Sequence, residues 1–125
     1  MGFTALLYLA QDTLIYVPRS YAVATLATPP VGVQVLRYQV DGSERCAFIR
    51  PPPDGSGAVR WWLLCGGNAA RALDYLDVVS SVPEPGVGWL LVDHPGYGAN
   101  RGAPSPATCD ANVDAAIAAL AARVG

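Results

Sequence analysis

A single histidine follows an aspartate in this sequence, at Asp93 and His94. An adjacent carboxylate and imidazole could act as an acid–base pair, because histidine changes its charge near neutral pH. The two residues directly follow an apolar run, and α/β proteins place their sites at the carboxyl ends of such strands. We favour a simpler interpretation, in which His94 is a loop residue and Asp93 caps the turn that follows.

A serine nucleophile of the hydrolase type needs a sharp strand-to-helix turn with the pattern Gly-x-Ser-x-Gly. No such segment occurs in the 125 residues. Ser56 lies between two glycines, but its segment lacks the first glycine of the pattern and the helix that must follow, which indicates a linker. With one histidine and no nucleophile turn, the sequence predicts no complete catalytic triad, and we assign no catalytic side chain.

The other reactive residues show no spacing typical of a metal or cofactor site. The glycines at 96, 98 and 102 do not match the Gly-x-Gly-x-x-Gly pattern that opens a helix straight after a strand. We interpret the aspartates of the predicted helices as solvated charges, and the cysteines as small buried side chains in a reducing compartment. These residues are Asp74, Asp77, Asp110, Asp114, Cys46, Cys65 and Cys109. We therefore predict no metal and no cofactor, and we favour an intracellular location.

Composition limits the classes of partner. The chain has 52% hydrophobic and 14% charged residues and a net charge of −2, so it fits one domain with a substantial core and has no basic surface for nucleic acid. The apolar segment from Phe3 to Ala10 is shorter than a membrane span, which needs about 20 residues. We expect it to pack on the domain. The alternative is the inner end of a membrane anchor, which would make the protein membrane-associated.

The middle of the sequence predicts strands and helices in alternation. Residues 31–40 and 44–50 read as two strands joined through Asp41-Gly42 into a β-hairpin. Two nearly continuous apolar runs, from Val59 to Cys65 and over residues 87–92, are typical of parallel strands buried on both faces. Helical spacing over residues 69–81 between them predicts a strand–helix–strand unit. We expect the adjacent residues Trp61 and Trp62 to lie on opposite faces of the sheet.

A last helix is predicted after residue 105. Ser105 is a suitable N-cap, and Pro106 takes the first helical position, where its missing N–H costs nothing. Five residues recur every three or four positions and predict the buried face, and they are Cys109, Val113, Ile117, Leu120 and Val124.

Three segments together resemble a group of membrane-associated α/β-hydrolases. Residues 11–18 resemble the leader before the first strand in that group. The segment Gly66-Gly67-Asn68-Ala69, with Asp74-Tyr75 after it, is similar to the group's His-Gly-Asn-Ala turn followed by Asp-Tyr. Residues 93–105 look like its Asp-Tyr-Arg-Gly-Tyr-Gly-x-Ser-x-Gly-x-Pro-Ser stretch. The resemblance covers nearly the whole chain, but only about the first half of a member of the group.

The resemblance implies a fold and a division of the chain. It implies a partial α/β-hydrolase fold, with an N-terminal hairpin and parallel strands, strand order 1-2-4-3 and helices on both faces. Residues 1–30 would be a leader segment. Residues 31–125 would be the N-terminal half of the hydrolase domain, ending before the turn that carries the nucleophile.

The resemblance also implies an oxyanion hole. In such enzymes one of its two backbone donors lies in the loop after the third strand. By position that donor is the N–H of Asn68, with Gly67 allowing the backbone to approach the substrate closely. Among the departures from the group, Gly66 replaces its histidine and Asn100 replaces its serine. The first change removes the side chain that shapes the loop.

The sequence is compatible with three candidate functions. The leading one is the oxyanion-loop half of a serine hydrolase that acts on an ester or acyl substrate and is inactive alone. The second is a non-catalytic binding or interaction module derived from the same fold. The third, a flavodoxin-like nucleotide binder, lacks a phosphate loop. The expected partner is the missing C-terminal half, or a second copy that pairs through the strand from Val59 to Cys65, with no nucleic acid.

Overall fold

The computed structural model describes residues 2–125, and it has an α/β arrangement with a four-stranded, mixed, open sheet. The strand order is β1-β2-β4-β3, as predicted. Strand β2 is antiparallel to both β1 and β4, and β3 is parallel to β4. In chain order the elements are α1 (Gly2–Ile15), a 3₁₀ helix (Val23–Thr25), β1 (Gln34–Val40), β2 (Ser43–Arg50), β3 (Arg60–Cys65), a 3₁₀ helix (Ala72–Tyr75), α2 (Leu76–Ser81), β4 (Val87–Val92) and α3 (Pro106–Val124).

The predicted hairpin joins β1 to β2. Asp41 and Gly42 both take positive φ, 48° and 76°, which is the conformation of a two-residue turn of type I′. This turn fixes the register, in which Val40 faces Ser43 and Gln34 faces Ile49. The turn residues named by the sequence therefore set the pairing of the first two strands.

Helices cover both faces of the sheet. On one face, α3 contributes Ala116 and Leu120 to a core with inward residues of β1, β2 and β4. On the other face, Ala72 and Val79 of the short helices pack on Phe48 and Leu91. Successive strand residues alternate between these two cores, because side chains of a strand point to opposite faces in turn.

Helix α3 begins as predicted, but its buried face is rotated. The Ser105 hydroxyl accepts from Thr108 N, and Pro106 takes the first turn. The buried residues are Asn112, Ala116 and Leu120, whereas the predicted Ile117 and Val124 are 45% and 52% exposed. The prediction counted apolar side chains only. Small alanines let the helix approach the sheet closely, and a buried asparagine is tolerated because its amide is hydrogen-bonded.

Strand β3 differs from its predicted environment. None of its six residues is buried, whereas β4 is buried along most of its length. The reason is position, because β3 is the last strand of the sheet and has a neighbour on one side only among residues 2–125. Trp61 packs against the core under α3, and Trp62 contacts Trp89 on the other face with ring centroids 5.1 Å apart. The predicted opposite orientation of the two tryptophans is confirmed.

The helix predicted over residues 69–81 begins three residues later. A 3₁₀ turn starts at Ala72 and passes into α2, while Ala69 takes a positive φ of 60° and cannot belong to a right-handed helix. Residues 66–71 therefore form a loop of six residues between β3 and the first helical turn.

The N-terminal segment is helical but does not pack on the domain, so that expectation is wrong. Helix α1 has no buried residue, and Phe3 and Leu9 are 75% and 80% exposed. Within residues 2–125, none of the helices combines the length and the hydropathy that crossing a bilayer requires.

Candidate functional site

Two loops leave the sheet side by side. Cys65 at the end of β3 is paired with Val92 at the end of β4, so residues 66–71 and 93–105 start from neighbouring points of one sheet edge. This edge carries the carboxyl ends of the parallel strands, where open α/β sheets form their binding crevices. It also contains both residues that the resemblance assigns to an oxyanion hole, Gly67 and Asn68.

The backbone N–H of Asn68 is available to a ligand. Asn68 is exposed, and within the described residues 2–125 its N–H donates to no acceptor. The next N–H, of Ala69, is taken by the Asn68 side chain at 3.0 Å, and that of Ala70 by Gly67 O at 3.2 Å. Asn68 is thus an exposed residue in the loop after β3 whose backbone donor has no acceptor within residues 2–125, whereas the donors of the two residues that follow are satisfied.

The Asn68 side chain joins three parts of the chain. Its Oδ1 accepts from Val17 N and from the Tyr97 hydroxyl, each at 2.8 Å, and its Nδ2 donates to Ile15 O. The Tyr97 hydroxyl in turn accepts from Val17 N at 3.0 Å. We call these contacts the leader clamp. They fix the loop after β3 against both the leader and the loop after β4.

Gly67 is held by a tyrosine rather than left free. Its N–H donates to the Tyr75 hydroxyl at 3.0 Å, so within residues 2–125 the N–H of Gly67 has an acceptor and the N–H of Asn68 has none. A Cβ on Gly67 would lie 3.5 Å from that hydroxyl, an ordinary contact. The protein itself therefore has room for a side chain at residue 67.

Asp93 anchors the downstream end of the same loop. Its carboxylate accepts from Ala72 N and from the Tyr21 hydroxyl, both at 2.7 Å. Burial raises the pKa of Asp93 above its usual value, while these two hydrogen bonds act in the opposite direction. The interpretation that Asp93 caps the following turn is wrong, because the carboxylate instead caps the helical turn that starts at Ala72. The reason is that both loops leave the same sheet edge.

His94 does not form an acid–base pair with Asp93. Both carboxylate oxygens of Asp93 are occupied by Ala72 N and the Tyr21 hydroxyl. The His94 ring stands edge-to-face to Tyr97 at 6.5 Å, and its Nδ1 is buried with no hydrogen-bond partner among residues 2–125. His94 is thus a loop residue, as predicted.

Asn100 closes the gap between β2 and the end of β4. Its Oδ1 accepts from Cys46 N at 2.8 Å, and its Nδ2 donates to Cys46 O and to Asp93 O. Asn112 of α3 donates to the same Asp93 carbonyl at 2.9 Å. The side-chain amide of Asn100 therefore pairs with the backbone of Cys46 as a residue of a neighbouring strand would.

Within residues 2–125, no three potential metal ligands lie close enough to one another to hold a metal ion. Comparison with protein-family models, with curated proteins and with solved structures finds no match to the chain.

Sequence reasoning selected Asn68 and Gly67 by resemblance, but it did not predict the residues that hold their loop in the structure. Tyr75 and Tyr97 hold the two residues, and Asp93 holds the end of their loop. Tyr97 lies between Gly96 and Gly98, and a tyrosine in a glycine-rich loop at a strand end was the available signal. The leader contacts carried no such signal, because they join residues 51 to 80 positions apart.

Proposed function

We propose that residues 60–105 form the oxyanion-loop portion of a serine hydrolase of the esterase or acyl-hydrolase type, within a partial α/β-hydrolase fold. In this proposal the N–H of Asn68 donates to the oxygen that becomes negatively charged when the acyl carbonyl is attacked. One such donor contributes about 10²–10³-fold to the rate in enzymes of this kind. The observation that carries the proposal is the backbone N–H of the exposed residue Asn68, which lies in the loop after the parallel strand β3 and has no acceptor among residues 2–125.

The rigidity of the loop supports this role. An oxyanion donor is effective because it is already oriented before charge develops. Here the Asn68 side chain is fixed by the leader clamp, and the N–H of its neighbour Gly67 is held by Tyr75. These contacts supply the orientation that the histidine of the resembling group would otherwise give.

The nucleophile, the base and the acid come, in this proposal, from residues outside these 125, because the sequence has no Gly-x-Ser-x-Gly segment and His94 is a loop residue. The strand that leads to the nucleophile would pair with the outer edge of β3, which has no neighbour among residues 2–125. The coding sequence beyond Gly125 tests this part directly, since a Gly-x-Ser-x-Gly segment there would supply the missing turn.

Amide hydrogen exchange tests the donor. We predict that the Asn68 amide exchanges rapidly and shifts in a ¹H–¹⁵N spectrum when butyrate, a carboxylate that resembles the oxyanion, is added. The Gly67 amide should be protected, and Tyr75→Phe should remove that protection while the Asn68 amide still exchanges rapidly. Slow exchange at Asn68 in the wild-type protein would show that its N–H already has an acceptor, and the proposed role would fail.

Activity of the chain alone gives a second test. We expect no turnover of p-nitrophenyl acetate or butyrate and no labelling by a fluorophosphonate probe, because an isolated donor activates no nucleophile. Stoichiometric labelling of any serine would contradict the proposed division of the site.

The alternative is a non-catalytic module that binds a partner through the outer edge of β3. The outer backbone groups of that edge pair with no strand within residues 2–125, which favours this function, since an added strand is a common mode of recognition. A coding sequence beyond Gly125 without a nucleophile turn, together with a stable and soluble product, would favour this function over the hydrolase.

A further inference from the structure

Two of the eight arginines lack a side-chain partner within residues 2–125, and both line the same cleft. Four arginines form ion pairs with carboxylates, and two others donate to Ser80 and Gln34. The two that remain are Arg45 of β2 and Arg101 of the loop after β4. The cleft has a volume of about 360 Å³, and its walls also include Ser43, Glu44 and Ala99.

The charge balance of the cleft is positive. Its one carboxylate, Glu44, accepts from Arg37 at 2.6 Å and is neutralised by that ion pair. Arg45 and Arg101 then present two positive charges with no carboxylate within 4 Å among the described residues. Two guanidinium groups over one cleft repel each other unless an anion lies between them.

Arg45 is also partly removed from water. Its Nε is buried without a hydrogen-bond partner in the described chain, and its Nη1 reaches only the carbonyl of Glu44, at 3.4 Å. Its Nη2 lies under Gly102, where a Cβ would approach it to 3.0 Å. Buried donors of a charged group are costly when left unsatisfied, and native proteins usually satisfy them. The buried Nε is out of reach of a group in the cleft, but Nη2 is not buried and has no hydrogen-bond partner in the described chain, so an anion bound from the cleft would compensate the charge of Arg45 at that atom.

We propose that this cleft binds a phosphate monoester, held by the guanidinium groups of Arg45 and Arg101 with the Ser43 hydroxyl at its edge. Guanidinium groups match the oxygens of a phosphate with paired, charge-assisted hydrogen bonds, and two of them balance its two negative charges. The volume exceeds that of the anion alone and lies near the lower limit of small-molecule pockets, so there is room for a small organic group on the phosphate.

Calorimetric titration with glycerol 3-phosphate at low ionic strength tests the site, using the whole chain. We expect measurable binding that Arg101→Gln and Arg45→Gln each weaken by about tenfold or more, the usual effect of losing a charge-assisted hydrogen bond. Arg123→Gln is the matched control. The Arg123 guanidinium contacts Gln34 and does not line the cleft. The affinity of this variant for glycerol 3-phosphate should therefore differ less than twofold from that of the wild type.

A second arm distinguishes a soluble ligand from a lipid head group. Vesicles of phosphatidylcholine with and without phosphatidic acid are sedimented with the same variants. Binding to glycerol 3-phosphate would show that the cleft takes a soluble ligand. Binding to the phosphatidic acid vesicles alone, if Arg101→Gln abolishes it, would show that the cleft takes a lipid head group. Arg101 is exposed and has no protein partner in the described chain, so its variant should fold even if Arg45→Gln does not. Failure to bind in both arms, or equal loss in Arg123→Gln, would overturn the proposal.

Discussion

Tyrosine hydroxyls organise the loops at the carboxyl end of the sheet. Tyr21, Tyr75 and Tyr97 each accept a backbone N–H, from Leu73, Gly67 and Val17 respectively, at 3.0 Å. A hydroxyl can donate as well as accept, and two of them pass a hydrogen bond onward. Tyr21 donates to Asp93, and Tyr97 donates to Asn68. The hydroxyl oxygens at the ends of these rigid rings thus accept backbone N–H groups from two loops and from the start of a helix.

At Gly98 this network of hydrogen bonds leaves no space for a side chain. Its φ is +61°, and a Cβ would lie 2.7 Å from Tyr21 Cε2 and still closer to Asp93 Oδ2. We predict that Gly98→Ala lowers the free energy of unfolding by about 2–5 kcal/mol, from left-handed strain and from overpacking together. Urea denaturation followed by circular dichroism measures this change.

Gly32→Ala is the control for Gly98→Ala. Gly32 has a similar φ of +79° with nothing within 4 Å of the added carbon, so its substitution should cost only the backbone strain, about 1 kcal/mol. Equal effects of the two substitutions would show that the contact with Asp93 and Tyr21 is not tight.

The buried carboxyl of Asp93 should give stability a characteristic pH dependence. Burial raises its pKa in the folded state, so the folded protein holds this proton more tightly than the unfolded chain, whose pKa is about 3.9. The contribution of Asp93 to the free energy of unfolding is therefore most favourable at pH values below its pKa in the unfolded chain. It declines as the pH rises through the raised folded pKa.

Comparison with Asp93→Asn isolates this contribution, because other carboxylates titrate in the same range. The quantity to compare is the free energy of unfolding of the wild type minus that of the variant. We predict that this difference falls as the pH rises from about 3 through the pKa of Asp93 in the folded state. Urea denaturation at a series of pH values measures the difference. A difference that rises with pH would mean that the hydrogen bonds from Ala72 and Tyr21 outweigh burial.

At the scale of elements, β3 combines an apolar sequence with an edge position. Trp62 and Leu63 are 43% and 44% exposed on opposite faces, and the outer backbone groups have no strand beside them in the described chain. Edge strands are usually short, charged or covered, because an apolar edge recruits other chains. The one charged residue of β3, Arg60, lies at its first position and is paired with Glu84.

We predict that the chain associates through β3 and that Leu63→Lys shifts it towards the monomer, since a charge on the edge opposes pairing. Size-exclusion chromatography with light scattering measures the shift over a range of concentrations. Ile117→Lys is a matched control, because Ile117 is 45% exposed on α3, away from the edge. A wild-type monomer of 13.0 kDa at all concentrations would contradict this prediction.

The elements also show which patterns in the sequence were sufficient. Asp41-Gly42 and Ser105-Pro106 predicted a turn and a helix start correctly, because these signals act through local backbone geometry. The burial of β3 could not be read from its apolar run, since burial depends on which strand lies beside it. The buried face of α3 was missed for the same reason, because Asn112 is buried through partners far along the chain.

At the scale of the whole molecule, the candidate site is assembled from segments distant in sequence. A resemblance of short motifs was enough to select Gly67 and Asn68. The leader clamp depends on how residues 15–17 meet Asn68 and Tyr97, and the arginine cleft on how residues 43–45 meet residues 99–101. No local pattern encodes either meeting. Motifs thus selected the loop as a candidate, whereas the contacts that hold it are seen only in the folded chain.

The leader clamp also has a consequence for the order of folding. It joins Val17 to Asn68 and Tyr97, 51 and 80 positions away, whereas the β1–β2 hairpin closes through neighbouring residues. Loop-closure entropy makes distant contacts slower to form, and both loops must be in place before the clamp has partners. We therefore expect the leader to dock last and detach first, so that Tyr97→Phe accelerates unfolding while leaving the refolding rate unchanged.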